Sequence, residues 1–440
     1  MTSTRIDYRV QPGGTLSGTL RVPGDKSMSH RCVMLGALAE GVTQVTGLLE
    51  GEDVLSTLAA FRAMGVRAEG PDQGRLVIHG VGLQGLKVPK GELDMGNSGT
   101  AMRLMAGILA GQSFDSVLTG DASLRLRPMN RVAIPLSNMG AVIHTAEGGR
   151  PPLRIKGGQP LHGIDYVMPM ASAQVKSSLL LAGLYAQGET RVTEPAPTRD
   201  HTERMLRGFG YVVHTDGARM RLSGGGRLQA GDIDVPADIS SATFFLVGAA
   251  ITPGSDVTLQ HVCVNPTRIG VLNILAHMGA RVELQNRRAV GGEPVADIRV
   301  RGGGLRGIVI PEDQVPLAID EFPALFIAAA CAEGETVLTG AAELRVKESD
   351  RIAVMATGLR ALCIDARETP DGMIIQGGYL QGGTVDSHGD HRIAMAFAMA
   401  ALRASGPILV RDCKNVATSF PDFVPLAQAA GLKLQVEEPV

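Results

Sequence analysis

Six copies of one pattern organise this chain of 440 residues. Each copy reads as an apolar helix, a Gly-containing turn, a strand, a second helix, a Met-Gly or similar pair, and a further strand. The first starts at Ala37-Leu38-Ala39-Glu40-Gly41 and reaches Met64-Gly65-Val66. The second runs from Ala106-Gly107-Ile108-Leu109-Ala110-Gly111 to Met139-Gly140-Ala141, the third from Leu180-Leu181-Ala182 through Gly188 to Phe209-Gly210-Tyr211. The fourth passes through Gly254 to Met278-Gly279-Ala280, and the fifth has Ala332-Glu333-Gly334 and then Leu362-Cys363-Ile364. The last goes from Ser405-Gly406 to Ala430-Gly431-Leu432. A period of roughly 70 residues exceeds the ~20–50 of solenoid repeats. Small globular βαβαββ units grouped into two domains are therefore expected. The competing reading is a coincidence of Ala/Gly-rich helices.

The glycine after the second helix fits the left-handed position that ends a helix before a strand. Helix starts are legible as well. Asp200-His201-Thr202-Glu203 and Ser419-Phe420-Pro421-Asp422 read as capping boxes, and Asn265-Pro266 as a cap followed by a first-turn proline. Hydrophobic residues at 44% and charged residues at 20% suit a soluble protein with a substantial core. A net charge of -2 without a Lys/Arg-rich run argues against nucleic-acid binding. Any anion must then be held by local clusters. The five cysteines (Cys32, Cys263, Cys331, Cys363, Cys413) are scattered, form no Cys-x-x-Cys pair, and read as reduced thiols. The N-terminus shows no apolar signal region and no apolar run is long enough to span a bilayer, so a cytoplasmic location without membrane contact is expected.

Chemistry-bearing residues fall where loops enter apolar helices. Arg345-Val346-Lys347-Glu348-Ser349-Asp350-Arg351 sits between apolar runs, where free N–H groups and the helix dipole favour anions. Cations flanking an acid suit a polyanionic substrate that must also exchange protons; a solvated helix face is the bland alternative. Pro23-Gly24-Asp25-Lys26-Ser27-Met28-Ser29-His30-Arg31 places Lys26, Ser27 and Arg31 around one helix start. It is not a Walker A element, because the preceding Gly-x-x-x-x-Gly is missing. Gly96-Asn97-Ser98-Gly99-Thr100-Ala101-Met102-Arg103 repeats the design with small residues that let a ligand approach the backbone. Arg125, Arg127 and Arg131 precede another helix and are suited to bidentate grip of carboxylate or phosphate. Ser172-Ala173-Gln174 and Asp390-His391-Arg392 open two more helices. Gly80-Val81-Gly82-Leu83-Gln84-Gly85 matches a dinucleotide fingerprint but no helix follows, so that reading fails. No metal motif and no Gly-x-Ser-x-Gly elbow is present.

Together these segments resemble the 5-enolpyruvylshikimate-3-phosphate synthases (3-phosphoshikimate 1-carboxyvinyltransferases), over nearly the whole chain from Pro23-Gly24-Asp25-Lys26-Ser27 to Ser419-Phe420-Pro421-Asp422-Phe423. The most specific pieces are Gly96-Asn97-Ser98-Gly99-Thr100, the Arg345–Arg351 run and Asp390-His391-Arg392-Ile393-Ala394-Met395. The resemblance implies an α/β fold of two domains, each of three βαβαββ units around a pseudo-threefold axis (an inside-out α/β barrel), with the active site in the interdomain cleft. The chain would cross near Pro23-Gly24 and near Asp238-Ile239-Ser240, giving domains of 24–240 and of 1–23 with 241–440. It further implies a monomer that transfers the enolpyruvyl group of phosphoenolpyruvate to the 5-hydroxyl of 3-phosphoshikimate, releasing phosphate without metal or organic cofactor, in the shikimate pathway to chorismate and aromatic amino acids.

By this resemblance Lys26, Ser27, Arg31, Ser172, Ala173, Gln174, Arg199, Asp320 and Lys347 hold 3-phosphoshikimate. Lys26, Asn97, Gly99, Arg127, Gln174, Lys347, Arg351 and Arg392 hold phosphoenolpyruvate. Asp320 is the implied base for the 5-hydroxyl, Glu348 the acid toward the vinyl carbon, and Lys26 a sharer of the proton work. Glyphosate inhibits this family at the phosphoenolpyruvate site. Thr418 stands where some members carry a lysine; with Thr198–Glu203 this looks class II-like, although that branch often has Ala at the place of Gly99. The sister transferase acting on UDP-N-acetylglucosamine is the nearest rival, but its loop cysteine is missing between Gly111 and Arg127. RNA 3′-phosphate cyclases would need a basic face, and a non-catalytic scaffold would not place acids and Arg together at helix starts.

Overall fold

The computed structural model describes residues 5–438, and in it the chain divides into two compact units. An inserted unit holds 24–235 with 290–292; a split unit holds 1–23, 236–289 and 293–440. The chain passes from one to the other at Pro23/Gly24 and again at Val235/Pro236. The second passage lies ahead of the Asp238-Ile239-Ser240 stretch expected from the sequence. Ala237 already bridges Val262, and Asp238 already caps the helix Ile239–Ile251 of the split unit.

Each unit contains three sheets built on one βαβαββ plan. The plainest copy is strand Leu93–Asp94, helix Gly99–Ala110, strand Ser116–Thr119, helix Asn130–Asn138, then strands Val142–Ala146 and Arg150–Lys156. Its strands lie in the order first, second, fourth, third, the first pair parallel and the rest antiparallel. Asp165–Val167 through Arg219–Ser223 repeats this order. Three copies borrow strands from far along the chain. Asp232–Asp234 opens the sheet of Glu40–Thr46, and Ser17–Leu20 opens that of Asp256–Cys263. Asp7–Val10 inserts between Ile408–Arg411 and Leu434–Glu437. In the fifth copy the opening strand shrinks to parallel bridges from Arg306 to Glu333 and Val309 to Val337.

The repeat pattern read from the sequence has a backbone cause. Gly65, Gly140, Gly210, Gly279 and Gly431 end the second helices with φ of 87°, 103°, 78°, 90° and 116°. The fifth copy has Cys363 at this place, with φ 65°. A side chain in left-handed backbone costs roughly 1–2 kcal/mol, so this copy carries strain the others avoid.

Packing follows from helices that are apolar on every side. Ile239–Ile251, Phe322–Ala330 and His391–Ala400 pack on one another in the core of the split unit. The inserted unit has its own core, where Gly99–Ala110 crosses Ala173–Gly183. A Cβ at Gly107 would stand 2.1 Å from the Ser178 carbonyl oxygen, so only glycine permits that crossing. Among the described residues no helix is long and apolar enough to cross a membrane.

Three expected helix starts differ. Asp200 and Asp422 precede helices but make no side-chain cap; Asp200 instead accepts from Arg204 Nε at 2.8 Å. Ser419 closes the short turn Lys414–Thr418, and the helix begins at Phe423. Asn265 opens a turn by accepting from Thr267 N at 2.9 Å, and its helix begins only at Gly270. The Gly80–Gly85 segment leads to strand Leu93–Asp94 with no helix between, as the sequence indicates.

Candidate active site

In the inserted unit the candidate residues gather at helix starts fixed by short polar caps. Asp25 accepts from Met28 N at 2.8 Å, Ser98 from Ala101 N at 3.1 Å and Ser172 from Val175 N at 3.4 Å. These caps begin the helices that carry Lys26 and Ser27, Gly99, and Ala173 and Gln174. Lys26 forms an ion pair with Asp53. Arg31 is buried; its Nε and Nη2 donate to Thr202 Oγ1 (2.7 Å) and Ser177 Oγ (2.9 Å), and its Nη1 to the Ser27 carbonyl (2.7 Å). It therefore ties three helices together beneath Ser27.

A second group surrounds Gly99. Arg127 Nη2 donates to Asn97 Oδ1 at 2.8 Å, and Asn97 Nδ2 donates to Asp121 at 2.7 Å. Gln174 accepts from Arg103 Nη1 and donates to Thr100 Oγ1 at 2.9 Å. A Cβ at Gly99 would lie 3.1 Å from Nη1 of both Arg103 and Arg127. Arg199 is half-buried on the stretch between Glu194 and Glu203, which the buried Lys176 holds at both ends at 3.0 and 2.8 Å. His30 bridges Thr57 Oγ1 at 2.8 Å and Ser98 Oγ at 3.3 Å. Burial first, then the charges of Lys26 and Arg31, push its pKa well below the usual histidine value, so it is a neutral strut.

The split unit holds the acids. Arg351 lies at the centre, its side chain 1% exposed, with Nε 2.8 Å from Asp390 Oδ2, Nη2 2.6 Å from Glu348 and Nη1 3.4 Å from Asp320. Burial alone disfavours its charge, but Asp390, Glu348 and Asp320 outweigh that and hold its pKa above the ordinary arginine value. Lys347 Nζ stands 3.5 Å from Asp320 and 3.7 Å from Glu343. Arg392 donates from Nη1 to the Asp320 carbonyl at 3.1 Å. Asp390 caps the helix His391–Ala400 by accepting from Arg392 N at 3.0 Å, and Ser349 donates to its other oxygen at 3.1 Å. Asp320, Glu348 and Lys347 keep 15%, 21% and 21% of their side chains exposed, so a ligand can reach them. Arg345 instead faces Asp350 and Glu368 and serves the loop. Thr418 is buried and donates to the Asn415 carbonyl at 2.7 Å, supplying no charge.

All candidates thus fall into two sets, one in each unit. Sequence reasoning missed Asp53, Arg103 and His30 as partners of the first set, and saw Asp390 only as a cap. The signal for Arg103 was present: it stands one helical turn after Gly99 and so on the same face.

In both units cations and small-residue turns stand at helix starts, and in the split unit a carboxylate pair stands beside Arg351. The enolpyruvyl transferase NikO from Streptomyces tendae shares the fold, with a TM-score of 0.80 over 100% of both chains at 16% identity. A profile of the family described as EPSP synthase (3-phosphoshikimate 1-carboxyvinyltransferase) matches residues 10–426. A protein of Methylococcus capsulatus named 3-phosphoshikimate 1-carboxyvinyltransferase is 69% identical over 431 residues, covering 98% of this chain and 99% of its own. One of the same name from Alkalilimnicola ehrlichii is 67% identical, covering 98% and 96%. The solved EPSP synthase from Acinetobacter baumannii has a TM-score of 0.89 at 61% identity, covering 99% of this chain and 100% of its own. The chain belongs to the EPSP synthase family and is an enolpyruvyl transferase.

Proposed function

We propose that this protein transfers the enolpyruvyl group of phosphoenolpyruvate to the 5-hydroxyl of 3-phosphoshikimate, as a cytoplasmic monomer. The observation that carries this reading is the arrangement around Arg351. One guanidinium fixes both Asp320 and Glu348, with Lys347 and Arg392 beside them. Acid, base and anion-binding charge are thereby held in one cluster.

In the addition step Asp320 takes the proton of the 5-hydroxyl as its oxygen bonds to C2 of phosphoenolpyruvate, and Glu348 delivers a proton to C3. In the elimination step the C2–O bond to phosphate breaks and Glu348 recovers a proton from C3, restoring the double bond. Phosphate leaves with the electron pair and takes up the proton that Asp320 removed from the hydroxyl. Lys26, paired with Asp53 in the inserted unit, shares the proton work. Arg127, Lys347 and Arg392 offset the charge of carboxylate and phosphate, which a water-poor site makes more effective. Arg351, being buried, contributes its field and holds Asp320 and Glu348 in place. Ser27, Ser172, Ala173, Gln174 and Arg199 take the phosphoshikimate, Arg31 bracing Ser27 from beneath; Asn97 and Gly99 supply backbone wall.

The purified protein should release phosphate from phosphoenolpyruvate only when 3-phosphoshikimate is added, with EDTA making no difference. Equal or better turnover with UDP-N-acetylglucosamine would overturn the reading.

Gly99 gives a second test. Its backbone imposes no left-handed constraint, so Gly99→Ala is decided by contacts alone. The added methyl presses on Nη1 of Arg103 and Arg127 at 3.1 Å, and both must move by a few tenths of an ångström. Glyphosate is longer than phosphoenolpyruvate and should suffer more from the lost room. Overpacking typically costs about 1–3 kcal/mol, so the glyphosate inhibition constant should rise by roughly tenfold or more. The KM for phosphoenolpyruvate should rise by less, because Arg127 is displaced rather than removed. Inhibition assays on both proteins at matched phosphoenolpyruvate measure this; an equal rise in the two constants would remove the steric account.

A further inference from the structure

Behind the acid cluster of the split unit lies a buried ionic chain that the reaction as described does not use. Glu321 follows Asp320 directly, and its side chain is fully buried. Among the described residues two cations lie within ion-pair distance of it, and both approach the same oxygen. Arg268 Nη2 is 4.0 Å from Glu321 Oε1, and Arg392 Nη1 is 3.9 Å from it. The Ser240 hydroxyl stands between, accepting from Arg268 Nη2 at 2.8 Å and donating to Glu321 Oε1. Arg268 is itself 2% exposed and also holds Asp238 at 3.0 Å. That residue caps the helix Ile239–Ile251, and its N–H donates at 2.9 Å to the carbonyl of Pro23.

One carboxylate oxygen thus faces two guanidiniums, only one of which has work to do on a substrate. A buried carboxylate without a countercharge is costly, so Glu321 draws on whatever cation is near. We propose that Arg268 is a positioning residue. Relayed through Ser240, it neutralises Glu321 and so leaves the Arg392 guanidinium available to the phosphoenolpyruvate anion. Without Arg268, the remaining cation is Arg392, and Glu321 pulls it into a closed ion pair. This rests on the assignment of Arg392 to phosphoenolpyruvate.

The test is a charge-rescue experiment on the full chain, with steady-state kinetics for each substrate. Arg268→Gln should raise the KM for phosphoenolpyruvate on the order of tenfold, about the effect of one lost charged contact. The KM for 3-phosphoshikimate should stay within about twofold, since only the Arg392 contact is altered. Adding Glu321→Gln to that variant removes the competing carboxylate and should return the KM for phosphoenolpyruvate to within about threefold of the parent. A purely structural Arg268 would give a double variant no better than the single one, and that result overturns the proposal. So does a parent-like KM in Arg268→Gln. Ser240→Ala, which cuts the relay without deleting a charge, serves if Arg268→Gln does not fold. It should raise the same KM by about threefold, reversed by Glu321→Gln. Arg392→Gln run alongside separates the two levels. An unchanged KM there sinks the phosphoenolpyruvate assignment and this proposal with it. A raised KM there, beside a parent-like Arg268→Gln, sinks the proposal alone.

Discussion

Asp320→Asn and Glu348→Gln are each expected to lower kcat by at least about 10²-fold, the usual scale for a general acid or base, with much smaller changes in substrate affinity. Both replacements keep size and an acceptor oxygen. In Asp320→Asn the amide oxygen can still meet Lys347 Nζ and Arg351 Nη1, which stand 3.5 and 3.4 Å from the native carboxylate. In Glu348→Gln it can still accept from Arg351 Nη2, 2.6 Å from the native oxygen. Only the titrating proton site is lost. Steady-state kinetics with calorimetric binding of 3-phosphoshikimate separate the outcomes. A variant that keeps kcat and raises only KM would identify that residue as a binding group.

Arg351→Met should be the most damaging single change in the split unit. It leaves Asp390, which is fully buried, and the Asp320 and Glu348 carboxylates without the cation they share. Breaking a buried pair from one side typically costs about 3–5 kcal/mol, because the remaining charge is stranded. Chemical denaturation should show a loss of that order together with loss of activity. Adding Asp390→Asn should recover part of the stability, since the most deeply buried of the stranded charges is gone, but not the turnover, since Asp320 and Glu348 still lack the Arg351 guanidinium. A single variant within about 1 kcal/mol of the parent would mean that the cluster is solvated and that Arg351 does not organise it.

Much of this was legible in the sequence for local reasons. A left-handed residue after a helix selects glycine, so five glycines, four of them after Met or Phe, marked the repeats; the copy with Cys363 showed only through its flanks. Helix starts at Asp25, Ser98, Ser172, Asp350 and Asp390 announced themselves because a cap acts within three residues. The partners did not. Lys26 with Asp53, Arg103 with Gln174 and Arg351 with Asp390 join helices far apart in the chain, and no spacing rule reaches that far. The failed caps have a local cause instead: Asp200 accepts from Arg204 four residues on, and Asn265 from Thr267 two residues on. The borrowed strands were equally hidden, since Asp7–Val10 and Ser17–Leu20 read as ordinary short strands with no sign of their distant sheets.

Those borrowed strands dictate the order in which a nascent chain can finish folding. Every strand in the three sheets of the inserted unit lies between Glu40 and Asp234, so that unit is complete as soon as its own residues have emerged. Among the described strands Asp7–Val10 emerges before the others yet pairs with Ile408–Arg411 and Leu434–Glu437, the two that emerge after them all. At about 5–20 residues per second, the oldest part of the chain waits on the order of 20–80 s for its neighbours. It spends that interval with an unpaired edge, which is the form most open to wrong partners. The arrival of Ile408–Arg411 and Leu434–Glu437 is therefore the event that completes this sheet and seals the split unit.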